Sequence, residues 1–146
     1  MSEEKKYIKE LREKVERYLR EKGLSYEVKP DGTLWVRQGS TVVVVHTTPW
    51  GKGDQSIVKL AAPVALKVSK ISSKLTRFLV EKNSELLFGK FSLNPSDQSV
   101  WYEHALLGDY LDLEELFVAV ATIAITADKY DEEVCAMTGG KRLIDM

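Results

Sequence analysis

The sequence is short of most things that would mark a particular chemistry. It holds one cysteine, Cys135, in 146 residues. No disulfide can form within the chain, which suits a reducing compartment. Neither charge is in surplus: 21 Lys and Arg stand against 22 Asp and Glu, for a net charge of -1. Nucleic-acid binders that depend on phosphate contacts carry a basic surplus, so no nucleic-acid partner is expected. No apolar run approaches the roughly 18 residues that a membrane span needs. The opening MSEEKKYIKEL is charged from its third residue, unlike a secretory leader. The expectation is a cytoplasmic protein with no membrane partner. The patterns Gly-x-Ser-x-Gly, His-Glu-x-x-His and Cys-x-x-Cys are missing. Gly51-Lys52-Gly53 and Gly139-Gly140-Lys141 have the residues of a phosphate loop without its spacing, and read as turns. No enzyme activity and no cofactor is expected.

What is present is globular material. Hydrophobic residues make up 44% and charged residues 29%, too apolar for a disordered chain. The length fits one domain spanning 1–146. Residues 3–22 read as an amphipathic helix, with Ile8, Leu11, Val15, Tyr18 and Leu19 at helical spacing and Gly23 as its stop. The period then changes to two. Leu24, Tyr26 and Val28 alternate with polar residues; Pro30-Asp31-Gly32 turns; residues 33–38 and 41–48 make two more strands, the last rich in β-branched residues. A fourth strand starts at Ser56, with Pro63 marking an edge, a bulge or its end. Ser72 or Ser73 caps a second helix that Asn83 terminates, and residues 88–93 and 98–105 form a hairpin. Asp112 and Glu115 make a capping-box-like start for the last helix. The pattern weakens after Glu133, so a weakly structured tail is expected from about residue 134. The fold class is α+β: an antiparallel sheet flanked by three helices, in the order α-β-β-β-(β)-α-β-β-α.

Few residues invite chemistry. His46 and His104 lie in strands, and with Cys135 they match no metal spacing. Strand histidines, partly exposed or satisfied by hydrogen bonds, are the plainer reading, with a small histidine enzyme as the remote alternative. Asp128, Asp131, Glu132 and Glu133 crowd the end of the last helix, where acid opposes the helix dipole. An ion pair with a lysine or arginine from elsewhere in the fold is the expected reason.

The informative feature is apolar surface on both faces of the sheet. Val42 and Val44 point one way while Val43 and Val45 point the other; Ile57 and Ala61 oppose Val58 and Leu60; Trp35 and Trp101 each oppose two apolar neighbours. Leaving large side chains in water forfeits roughly 1.5–3 kcal/mol each. A second copy, a partner peptide or one of the helices should therefore cover the reverse face.

Five stretches then resemble a known family. Leu75-x-x-Phe78-Leu79-x-x-x-Asn83, followed by Phe88-Gly89-Lys90-Phe91-Ser92-Leu93, is similar to the second helix and hairpin of the type III secretion chaperone-like fold, as in the YbjN family. Leu106-x-Gly108-x-Tyr110-Leu111-Asp112-x-x-Glu115-Leu116, Ala127-Asp128-x-Tyr130-Asp131 and Ala62-Pro63-Val64 resemble further parts of it. The resemblance implies a homodimer that binds an extended segment of another protein. Contact residues expected on this basis are Ile8, Leu11, Val15, Trp35, Val43 and Trp50, burying apolar client side chains on the first helix and the sheet. On this reading Val15→Asp with Trp35→Ala abolishes capture and leaves the fold intact. A structural or regulatory homodimer without a client is the alternative.

Overall fold

Alternation in the middle of the chain dictates a sheet, and the helical stripes at either end dictate what lies on it. A computed structural model of the chain describes residues 4–146. The elements run α1 (Lys6–Glu21), β1 (Tyr26–Val28), β2 (Leu34–Gln38), β3 (Thr41–Pro49), β4 (Ser56–Ala65), α2 (Ser73–Glu85), β5 (Lys90–Asn94), β6 (Ser99–Leu107) and α3 (Leu113–Thr138), with a short 3-10 turn at Leu143–Asp145. All strand pairs are antiparallel, in the order β1-β2-β3-β4-β6-β5. The architecture is the expected three helices with an antiparallel sheet, and the bracketed fourth strand is a full one at the centre.

Every helix packs on the same face. Leu34 and Val36 of β2, Val43 and Val45 of β3, Val58 and Leu60 of β4, and Val100 and Tyr102 of β6 lie at 0–1% exposure in one core with the apolar stripes of α1, α2 and α3. α3 lies across β3, β4 and β6, α1 packs against β3 and α3, and α2 against β5 and α3. Phe91 anchors an edge-on aromatic group with Tyr102 and Tyr130, at centroid distances of 4.9 and 5.7 Å. Such pairs add to plain area burial.

The helix ends follow local chemistry. Ser72 accepts from the Leu75 backbone at 3.2 Å and Asp112 from Glu115 at 2.8 Å, each satisfying an orphan amide of the first turn. Leu24 N donates to Leu19 O at 2.9 Å past Gly23, closing α1. Pro63, with no amide hydrogen to give, sits where the β4–β6 register shifts between Pro63 and Ala65, which is the bulge among the three options.

Two expectations are corrected. Asn83 does not end α2, which runs to Glu85. Its side chain clasps edge strand β5: Phe91 N donates to Oδ1 at 2.7 Å and Nδ2 donates to Phe91 O at 3.2 Å. The segment after residue 134 is not weakly structured. α3 continues to Thr138, which is fully buried and donates to Val134 O at 2.8 Å. Leu66 and Lys141 exchange backbone hydrogen bonds at 2.8 and 2.7 Å. Long-range backbone pairing therefore holds a tail whose own pattern is weak.

Gly89 shows how tightly β5 is delivered to the sheet. Its φ of 84° lies in the left-handed region, and a Cβ there would stand 2.8 Å from the Tyr102 ring and 2.9 Å from Glu103 O. Tyr102 Oη donates to Phe88 O beside it.

Candidate functional site

With all three helices on one side, the other side of the sheet is uncovered. Strand register arranges its side chains in four rows. Arg37 and Val42, continued by Pro63 and Trp101, form the first. Trp35, Val44 and Ala61 form the second, flanked by Glu27 on β1 and by Glu103 and Lys90 on β6 and β5. His46, Lys59 and Ala105 form the third, and Thr48, Ile57 and Leu107 the fourth. The face is therefore striped: two rows apolar at their centre, one row carrying the cation Lys59, then a further apolar row. A trough of about 470 Å³ opens over Val44, Ala61 and Ala105, bordered by His46, Lys59, Lys90 and Glu103.

Two tryptophans stand on this face, and the chain holds both in the same way. Trp35 Nε1 donates to Thr33 Oγ1 at 3.2 Å, and Thr33 Oγ1 donates to Asp31 Oδ1 at 2.7 Å. Trp101 Nε1 donates to Ser99 Oγ at 2.9 Å, and Ser99 Oγ donates to Asp97 Oδ1. The Thr33 hydroxyl and amide hold the Asp31 carboxyl below its usual value. Lys29 Nζ lies 4.6 Å from the Trp35 ring centroid, within cation–π range.

Four of the six expected contact residues are corrected. Ile8, Leu11, Val15 and Val43 have exposures of 4, 6, 0 and 0% and belong to the core beneath the helices. The amphipathic stripe of α1 is satisfied by the chain itself, so Val15→Asp would place a carboxylate in that core and test folding rather than capture. Trp35 is on the open face at 36% exposure. Trp50, 45% exposed, sits at the tip of the β3–β4 hairpin, where its amide donates to Gln55 O at 3.1 Å. Sequence reasoning missed the cationic row and the support of the tryptophans. The support had a signal: the pattern Asp-x-Thr/Ser-x-Trp occurs at Asp31–Trp35 and again at Asp97–Trp101.

The chemically active residue types are not brought together. His46 is on the open face beside Lys59. His104 faces the helices, half-buried in a hollow of about 420 Å³ lined by Phe88, Leu106, Val118, Asp112 and Glu115. Burial pushes the His104 pKa down. Cys135 Sγ donates to Val64 O at 3.6 Å, and burial pushes its thiol up, away from the reactive thiolate. In the acidic group at the end of α3, Glu132 pairs with Arg142 at 3.2 Å, the expected kind of ion pair. Burial raises the Asp131 carboxyl. Among the described residues, no three His, Cys, Asp or Glu side chains form a metal-binding group. None of their helices is long and apolar enough to cross a membrane.

The α+β sheet thus has one face roofed by the three helices and one bare, striped face. A family profile described as "T3SS (YopN, CesT) and YbjN peptide-binding chaperone 1" matches residues 9–146, and the chain belongs to that family. Similar solved structures include the ExsC-ExsE complex, with TM-score 0.65 and 15% identity over 86% of this chain and 93% of that one. Another is the HopA1-SchA chaperone-effector complex, with TM-score 0.62 and 9% identity over 86% and 94%. At such identities these two likenesses speak for the fold. A search of curated proteins finds no match.

Proposed function

We propose that this chain is a non-enzymatic, cytoplasmic chaperone-like module that binds an extended segment of another protein on the open face of its sheet. The observation that carries the reading is that face: six strands wide, without a helix over it, and bearing Trp35, Val44, Ala61, Trp101 and Leu107. Apolar client side chains displace water from the trough and the indoles. Trp35 and Trp50 are contacts. Ile8, Leu11, Val15 and Val43 act from beneath, as part of the core that packs α1 against β3 and α3. The ExsC-ExsE and HopA1-SchA structures are complexes of two proteins, which supports a protein client.

The chain acts as a homodimer in this reading. Val80, Leu87 and Phe88, at 69, 90 and 57% exposure, present apolar surface on α2 and the segment after it, away from the open face. Client and second copy then use separate surfaces.

The test is capture from the native host by the full immobilised chain, followed by mass spectrometry and titration of the purified client. Trp35→Ala with Trp101→Ala should lose the client while keeping the dimer mass in light scattering. Leu87→Glu should halve the mass and keep the client. Undiminished capture by the double tryptophan variant would reject the face, and no client at all would leave a homodimer whose function is structural or regulatory.

A further inference from the structure

The open face carries more than apolar surface, and its stripes have a spacing. Val42 and Pro63 of row one are buried, so rows one and two offer Trp101, Trp35, Val44 and Ala61; row three offers Lys59 and His46, and row four Ile57 and Leu107. Successive rows are two residues apart along β3 and β4, or about 7 Å at the rise of a strand. Alternate side chains of a second extended chain have the same repeat, so a segment lying along β3 and β4 sets one inward side chain over each row.

Charge on the face is unevenly matched. Lys90 pairs with Glu103 at 3.7 Å, and Glu27 pairs with Lys29 at 3.2 Å. Lys59 and Arg37 have no carboxylate within 4.0 Å among the described residues. Lys59 borders the trough beside His46. The face lacks an anion at its third row.

We infer that the trough takes an extended segment of the alternating form apolar-x-apolar-x-acidic-x-apolar, in either chain direction, whose acidic side chain meets Lys59 while its apolar ones lie on Val44, Ala61 and the flanking rows. The inference rests on the open face being the client surface and names the class of client. The tryptophans belong to the two apolar rows, Trp101 on β6 to the first and Trp35 on β2 to the second. Because Thr33 and Ser99 fix their indoles beforehand, less side-chain freedom is lost on binding. Thr33 and Ser99 are thus positioning residues. The charged row selects among apolar segments that the hydrophobic rows alone would accept equally.

The test uses the full-length chain and fluorescein-labelled peptides read by anisotropy. One peptide has the alternating form with Glu at the acidic position. A second has Lys there, and a third has the Glu peptide's composition in scrambled order. The Glu peptide should bind about tenfold more tightly than the Lys peptide at low salt, the difference shrinking as salt is raised. Lys59→Glu should invert the order. Thr33→Val should weaken the Glu peptide severalfold with an unchanged unfolding midpoint, and Thr33→Ser should restore it. Equal binding of Glu and Lys peptides, or no inversion by Lys59→Glu, overturns the inference while leaving the open face as a client surface. Binding of neither by a chain that still captures a client also overturns it. Peptide binding that splits a dimer shows that a second copy fills the face, and overturns it as well.

Discussion

The two faces of this sheet are written in nearly the same apolar alphabet but have opposite fates. On the helix side, Val43, Val58 and Tyr102 are sealed under α1, α2 and α3 at 0% exposure. On the other, Trp35, Val44, Ala61 and Trp101 face outward with charged residues set among them. One face is a core because three elements supply matching apolar stripes. The other is interrupted by Arg37, Lys59 and Glu103, which a helix could cover only by desolvating charge. That difference separates stability from binding, and each side can be disturbed alone.

The largest contrast comes from a matched pair of substitutions. Val15→Asp loses a fully buried valine and buries a carboxylate, at a cost of about 4 kcal/mol. Trp35→Ala removes a partly exposed side chain and should cost about 1 kcal/mol. Urea unfolding of both should show a collapsed midpoint for the first and a nearly native one for the second. Similar midpoints would mean that the two faces do not divide stability from binding.

A middle-sized effect lies at the sheet edge. Asn83→Ala removes two hydrogen bonds to the Phe91 backbone and should cost about 2 kcal/mol. Hydrogen exchange should accelerate first at β5, with β3 and β4 protected until global unfolding. Uniform acceleration would show that the clasp holds no local unit.

The smallest effect is a pH dependence on the helix side. Burial lowers the pKa of His104, so the folded protein favours the neutral ring. Its contribution is complete above the unfolded value of about 6.5 and is lost as pH falls through the lower folded value. Melting temperature should therefore fall between neutral pH and about pH 5, and His104→Gln should flatten that slope. An unchanged slope would remove His104 as its source.

Much of this was legible in short-range pattern. The valine run of β3 gave its parity, Ser72 and Asp112 gave two helix starts, and Pro63 marked the bulge. Asn83 misled because its side chain serves another element; a terminating asparagine and a clasping one look alike along the chain. The tail misled because Thr138 and Lys141 are ordered by partners some 70 residues away, at Ser69 and Leu66. For the site, Trp35 was visible as an apolar residue out of phase with its neighbours. Lys59 was not, because a lone strand lysine has meaning only beside the His46 that register brings to it.

The sequence by itself determined which side chains share a face, since a period of two leaves no other choice, and where most elements begin. It did not determine which face would be roofed. Alternation is unchanged when the two sides are exchanged, and α1 could have been assigned to either. Only the assembled core decided that, because the stripes of all three helices join one core with Val43, Val58 and Tyr102 on one side and leave the charged rows in water on the other.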